Sequence, residues 1–310
     1  MPHDIVILGV FVADTSYRAD RQPRMGETIM GHAFALGPGG KGSNQAVAAA
    51  MAGGTVGMIT KLGRDAFGEM ALATWDKAGV TMLGSVHDDG TTGAAYIFVE
   101  AATGNNAIIV YPGVAATLNP ADIDARADAI GTARVFVTQL EQPLNAAMRA
   151  LEIARKGGAR TILNPAPAPS EPLPDSLLSL CDFITPNETE AEALTGLSVT
   201  SPAEAELAAR ALLARGVGCA IVTLGENGAL YCDGDIVLHV PAINAGPVVE
   251  TTGAGDAFNG GLAVALAEGM TPEAALRFAN ATAAISVTRP GTAPSMPARA
   301  EIDALLAAQG

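Results

Sequence analysis

Residues 133–167, "ARVFVTQLEQPLNAAMRALEIARKGGARTILNPAP", hold an apolar run, an amphipathic run and a second apolar run. "ARVFVTQL" is rich in β-branched residues and too short for a helix, so it reads as a buried strand. "LNAAMRALEIARKGG" repeats its apolar positions at helical spacing and ends in basic residues and glycine, the chemistry of a helix C-terminus. "RTILNPAP" is again a strand. Strand, helix, strand in this order makes two parallel strands joined by a crossover helix.

The same alternation extends outward. Upstream lie the strand "IVILGVFV" (Ile5 to Val12), the helix "GSNQAVAAAMAG", the strand "TVGMIT" and the helix "AFGEMALATWDKAG". Downstream, "CDFITP" precedes the helix "NETEAEALTG", and "CAIVTLG" follows the helix "AEAELAARALLARG". A mostly parallel sheet flanked by helices is expected, one α/β domain over residues 1–310, with its site beyond the carboxyl ends of the strands. Two segments break the rhythm. Residues 14–36 are polar and extended, and residues 91–113 alternate around "ATGNN" as a hairpin. Together they are expected to form a small β-sheet lid, discontinuous in sequence.

The bulk composition excludes several function classes. The chain carries a formal charge of -14, which disfavours nucleic acid or an anionic membrane as partner. Three cysteines (Cys181, Cys219, Cys232) lack CxxC spacing, and the four histidines do not complete a metal set with them, so a disulfide framework or structural zinc is not expected. No uncharged apolar run reaches the ~18 residues that a membrane helix needs, and Asp4 interrupts any leader-like start. A soluble cytoplasmic protein is expected.

The chemistry concentrates in two glycine-rich stretches. In "ETTGAGDAFNGG" (Glu250 to Gly261), glycines precede an acid at the mouth of an apolar helix. Unpartnered first-turn amides there would converge on an anion, and Asp256 beside them could take a proton from an attacking hydroxyl. The residues equally admit a tight turn with Asp256 as partner of the helix dipole. "GPGGKGSNQAVAAA" (Gly37 to Ala50) places Lys41 and Asn44 at a second helix mouth, suited to a polyhydroxylated ligand or to a plain strand-to-helix turn. Neither stretch is a Walker A loop, because Ala35 and Gly42 break that pattern. Phe258 likewise stands where GxGxxG needs its third glycine.

Taken together, "GGKGSNQAVAAA" and "TTGAGDAFNGG" resemble the paired signatures of the ribokinase, or PfkB-type, sugar kinase family. The likeness continues through "VTQLEQP", "LNPAPA", "TPNETEAEALTG", "TLGENG" and "SVTRPGTAPSMP", in the same order along the chain. The resemblance implies a ribokinase-like fold and ATP-dependent phosphorylation of a sugar's primary hydroxyl, with D-ribose giving ribose 5-phosphate. By the same resemblance Asp256 is the catalytic base, and Gly253, Ala254 and Gly255 form the anion hole. Asp14, Gly40, Lys41, Asn44 and Glu141 would hold the sugar. Asn187 and Glu190 match the pattern that organises Mg2+ and phosphates, while Thr223, Gly225, Gly228 and Asn280 match nucleotide contacts. Glu250, Thr252, Ser286, Arg289, Gly291 and Ser295 match a monovalent cation site, expected to take K+. The apolar hairpin face "AAYIFV" and "AIIVY" itself suggests pairing with another lid, so a homodimer is expected.

Three positions depart from the family pattern. Val12 stands where a sugar-contacting asparagine is usual, Glu250 replaces an aspartate at the cation site, and Asn280 replaces a histidine near adenine. Val12 keeps open a kinase for another sugar or a nucleoside. Asn187 and Glu190 also read as a helix capping box. A sugar-binding regulator without turnover is the alternative from a different class, against which the intact Asp256 and glycines weigh.

Overall fold

The computed structural model describes residues 3–309. A nine-stranded sheet runs in the order Val237–Val240, Ala229–Cys232, Cys219–Thr223, Phe183–Ile184, Arg160–Leu163, Val135–Thr138, Ile5–Leu8, Val56–Ile59 and Thr81–Met82. Seven of these strands pair in parallel from Cys219–Thr223 to Thr81–Met82, and the other two add antiparallel at one edge. The unit around residues 133–167 is a parallel pair, Val135 opposite Arg160, joined by the helix Leu144–Gly157. Central strands such as Ile5–Leu8 are fully buried, as expected where helices cover both faces. Two large apolar clusters occupy those faces. One contains Ile5, Ile7, Phe11, Trp75 and Phe278, and the other contains Val6, Leu8, Phe136, Leu151 and Leu212. Adjacent residues of one strand thus feed opposite cores, the two-residue period of a strand made visible.

A second sheet stands apart from the first, in the order Ala33–Gly39, Val12–Ala19, Thr92–Glu100, Asn106–Gly113. Its outer pairs are antiparallel, and its central pair is parallel, joining the two segments that are far apart in sequence. One side of this sheet exposes Tyr17, Phe34, Leu36, Ile109 and Tyr111, and the other exposes Ile108 and Val110.

The helix Ala254–Ala267 determines the site. Every residue from Asp256 to Ala267 is buried, so it lies inside the body, wedged between the helices Lys41–Met51 and Pro272–Ser286. Gly260 permits this. A Cβ there would lie 2.5 Å from Ala48 Cβ and 2.9 Å from Gln45 O. Gly260→Ala is therefore expected to lower stability by roughly 1–3 kcal/mol, the overpacking range, measurable by urea unfolding.

Candidate active site

The carboxyl ends of the parallel strands and the mouths of two helices converge on a cavity of about 150 Å³. Asn164 follows the strand ending at Leu163, Thr185 follows the strand ending at Ile184, and Thr223 ends its own strand. All three line the cavity, together with Lys41, Asn187, Glu190, Gly253, Gly255 and Asp256. A larger groove of about 550 Å³ opens at the opposite, amino ends of the strands, near Arg160 and Phe183. Its floor is largely apolar, and its charged groups are Arg155, Arg160 and Asp182. Its lining lacks the helix-mouth glycines beside a buried carboxylate that make the smaller cavity the candidate site.

Asp256 sits in the first turn of its helix and is 7% exposed. Its Oδ2 accepts from Asn44 Nδ2 and its Oδ1 from Gln45 Nε2, each at 3.0 Å. Burial raises its pKa, while Lys41 and these two amide donors pull it back down. Asp256 is thus a buried, oriented acceptor facing the cavity, a larger role than that of a dipole partner at an exposed helix end.

Gly253 caps the same helix at φ 84°, a left-handed conformation that glycine adopts without strain. Ala254 N–H closes a turn onto Thr251 O at 3.1 Å, so it is engaged within the loop. Among the described residues, no backbone acceptor meets the amides of Gly255 and Asp256. Those two, more than Ala254, are available to an anion. A Cβ built on Gly255 meets nothing within 4 Å, so the space beside it is open to a ligand.

The second helix mouth is built on Gly40 at φ 87°. Lys41 N–H donates to Glu141 Oε2 at 2.8 Å, which brings the "QLEQP" loop onto the "GGKG" turn. Burial pushes the Glu141 carboxyl up to about 7, against the opposing pull of Lys41. Asp14 is raised to about 6 by burial and by the nearby charges of Asp256 and Glu250. The Asp14 carboxyl lies directly over Gly39, where a Cβ would come within 2.2 Å of Oδ2. Asn44 Oδ1 is buried and has no hydrogen-bond partner among the described residues, an acceptor left for a ligand hydroxyl.

Asn187 and Glu190 do form the capping box that their spacing allows: Asn187 Oδ1 accepts from Glu190 N at 2.8 Å, and Glu190 Oε2 accepts from Asn187 N at 2.9 Å. Both nevertheless line the cavity, and the cap engages only one oxygen of Glu190, whose pKa burial raises. Gly225 and Gly228 turn the chain after Thr223 at φ 52° and 89°. Asn280 is buried beside this region, its Nδ2 donating to Val240 O and Pro241 O at 3.2 and 3.1 Å.

The residues assigned to a cation site gather behind the Gly253 turn. Glu250 Oε2 accepts from Gly291 N at 2.8 Å, tying the two loops together. Ser286 and Ser295 are buried, their hydroxyls donating to Ala283 O and Thr292 O. The Arg289 side chain pairs with Glu301 and so points away from Glu250. Thr252 lies exposed at the edge of the turn.

The model of the pfkB family carbohydrate kinase matches residues 2–299. The chain belongs to the pfkB family of carbohydrate kinases. It is 40% identical over 296 residues to the deoxyribokinase of Salmonella typhi, covering 95% of each chain, and 37% identical over 305 residues to the ribokinase of Haemophilus influenzae, covering 97% of each. Its fold matches an Arabidopsis thaliana ribokinase solved with ribose and ATP, with a TM-score of 0.93, 32% identity and 99% of both chains covered. A ribokinase from Thermotoga maritima matches with a TM-score of 0.87 at 35% identity, covering 98% of this chain and 99% of that one. This sugar kinase therefore shares its fold with those ribokinases over nearly its whole length.

Several residues of the candidate site escaped the sequence reading, Asn164, Ala166 and Thr185 of the cavity lining among them. Gln45 holds the second oxygen of Asp256, and Asn259 donates to Gly255 O at 2.8 Å. Gln45 was visible one residue after Asn44, inside a quoted motif. Its direction on the helix, however, depends on how two helices pack.

Proposed function

We propose that this kinase transfers the γ-phosphoryl group of ATP to the primary hydroxyl of a pentose, D-ribose giving ribose 5-phosphate. The observation that carries the reading is the meeting of the Asp256 carboxylate with the free amides of the Gly255 turn in one cavity. Asp256 accepts the hydroxyl proton as the sugar oxygen bonds to phosphorus. The bond to the bridging oxygen breaks and ADP leaves. The amides at Gly255 and Asp256 steady charge on the transferring group, where preorganised donors act most strongly. Asn44, Lys41, Asp14 and Glu141 hold the other sugar oxygens, Gly40 letting the strand approach closely. Thr223, Gly225 and Gly228 border the nucleotide, with Asn280 fixing the loop beside it.

Magnesium suits the cavity, since Mg2+ keeps several waters and needs only one or two carboxylates beside the phosphates. Glu190, with its free oxygen, and Asn187 would orient that hydrated ion, which would neutralise phosphate charge when bound. Glu250, Thr252, Ser286, Arg289, Gly291 and Ser295 would supply a K+ site through carbonyl and hydroxyl oxygens. The Glu250–Gly291 contact then links that ion to the anion-binding turn. The small sheet closes the sugar side as a lid, excluding water from the reaction.

ADP release with ATP, Mg2+ and K+ tests this across ribose, 2-deoxyribose, fructose, adenosine, uridine and no sugar. Preference for ribose supports the reading. Turnover of another acceptor alone overturns the substrate, and binding without turnover favours a regulator.

A second reading, 2-deoxyribose, rests on Val12. Val12 shares a strand face with Asp14, is 4% exposed, and packs with Val10, Ala95 and Ala115. An apolar patch beside the Asp14 carboxyl fits a sugar edge lacking a hydroxyl, and deoxyribokinases are among the relatives at 40% identity. Val12→Asn is expected to raise the kcat/KM ratio of ribose to 2-deoxyribose roughly 3–10-fold, the worth of one hydrogen bond. An unchanged ratio removes Val12 from specificity.

The exposed apolar side of the lid supports a homodimer formed by two lids. Tyr17, Phe34 and Tyr96 already stack there, with ring centroids 5.1 and 5.6 Å from Tyr17. Ile109 is 69% exposed, and Ile109→Lys is expected to yield a monomer in analytical ultracentrifugation. Nothing in the fold calls for a membrane: among the described residues no helix is long and apolar enough to cross one. The three free, buried cysteines fit a reducing cytoplasm.

A further inference from the structure

Behind Asp256 lies a chain of buried amides that the reaction above does not use. Gln139 Nε2 donates to Gln45 Oε1 at 2.6 Å. Gln45 Nε2 donates to both Asp256 Oδ1 at 3.0 Å and Asn164 Oδ1 at 3.1 Å. Asn164 Nδ2 donates to Thr185 O at 3.0 Å. Thr185 Oγ1 donates to Asn259 Oδ1 at 2.7 Å, and Asn259 Nδ2 ends on Gly255 O. Gln45, Asn164, Thr185, Asn259 and Gln139 are all 6% exposed or less.

The direction of this chain follows from one atom. A backbone carbonyl can only accept, so Thr185 O fixes Asn164 with its nitrogen inward and its oxygen toward Gln45. That oxygen in turn requires the Gln45 nitrogen, and the same nitrogen faces Asp256. A flipped Gln45 would present its oxygen to both Asn164 Oδ1 and the carboxylate, leaving three buried acceptors together. From this geometry we infer that Gln45, locked by Asn164 and the Thr185 carbonyl, is a positioning residue that keeps Asp256 turned toward the sugar as a proton acceptor. The second arm, through Asn259, ties the same anchor to the anion-binding turn, so base and turn share one rigid support.

The inference rests on Asp256 being the base, which the kcat of Asp256→Ala tests separately. The readout is the acid limb of the kcat–pH profile. Lys41, Asp14, Glu141 and Glu190 also face this carboxylate, and all four are unchanged in the variants. Gln45→Met removes the donor at nearly equal volume. Its limb is expected to move up by about one pH unit, the scale of one hydrogen bond to a charged group, with the sugar KM within threefold. Gln139→Met strands no donor of Asp256, because Asn164 still orients Gln45. It is expected to lower the melting temperature while leaving the limb in place. Asn164→Leu frees Gln45 to rotate and is expected to shift the limb in the same sense as Gln45→Met, by less.

A Gln45→Met profile that superimposes on the parent overturns the inference. So does a uniform fall in kcat at every pH, which marks packing alone. If Gln45→Met is not recovered folded, Asn164→Leu decides by the same criterion. Failure of both to fold assigns the chain to folding and overturns the positioning role.

Discussion

Replacing Asp256 by Asn is expected to lower kcat roughly 10³-fold, within the range contributed by a positioned general base, while nucleotide binding persists. The substitution removes a carboxylate held in place by two amide donors, Asn44 and Gln45. It has a second consequence that geometry dictates. An asparagine has one carbonyl oxygen, so its NH2 must face one of those donors. Either two N–H groups are left opposed and buried, at a cost of about 1–3 kcal/mol, or the Asn44 amide turns its unpaired Oδ1 to the new NH2 and gives up the acceptor it held for the sugar. Asp256→Asn is therefore expected to weaken the sugar as well as the rate. Asp256→Ala separates the effects, since it opposes no donor. Initial-rate assays with both, alongside calorimetric titration of ATP, read the outcome. Activity within tenfold of the parent in Asp256→Ala would remove Asp256 from proton transfer. A chain that keeps its sugar affinity and its biological role without turnover would be the regulator.

Substituting Gly255 by Val should separate rate from stability in the opposite way. A Cβ built there meets nothing within 4 Å, and Gly255 lies in the first helical turn outside the left-handed region, so the start of a side chain fits without a clash. Valine is also a better helix former than glycine by a few tenths of a kcal/mol. The melting temperature is expected to stay within a few degrees of the parent, which a thermal melt checks. The isopropyl group would stand where the transferring phosphoryl group must approach the amides of Gly255 and Asp256. A loss of roughly 10²–10³ in kcat is expected, the scale of losing one oxyanion donor. Turnover near the parent value would place the anion elsewhere. The contrast with Gly260 is instructive: there the missing Cβ faces Ala48 and serves packing, while at Gly255 it faces the cavity.

The sequence by itself determined the repeating strand–helix–strand order, because apolar runs of four to eight residues and helical repeats are local properties. "ARVFVTQL", "LNAAMRALEIARKGG" and "RTILNPAP" declare their elements without any neighbour. It determined the two glycine-opened helix mouths and the two extended segments for the same reason. Each stretch alone equally admits a plain turn, and Asp256, Lys41 and Asn44 stood out through the joint resemblance of the two stretches to the sugar kinase signatures. The antiparallel edge strands Ala229–Cys232 and Val237–Val240 were not read as strands, since no crossover helix separates them and the strand–helix alternation that marks the parallel strands is missing there. Nor could the sequence choose between cap and ligand for Asn187 and Glu190. Both hydrogen bonds of the cap are local, and only the cavity's position puts the same two residues at the site.

Tertiary structure alone decided what surrounds Asp256. Asn44 and Gln45 lie more than 200 positions away in sequence, and they reach its carboxylate only because Gly260 lets two helices touch. Likewise Glu141 meets the Lys41 amide, and Thr185 anchors the amides behind the site, only once the parallel strands align their carboxyl ends. A local pattern names the groups that can do chemistry. Which of their atoms remain free, and in which direction they point, is set by contacts between segments that the chain order keeps apart.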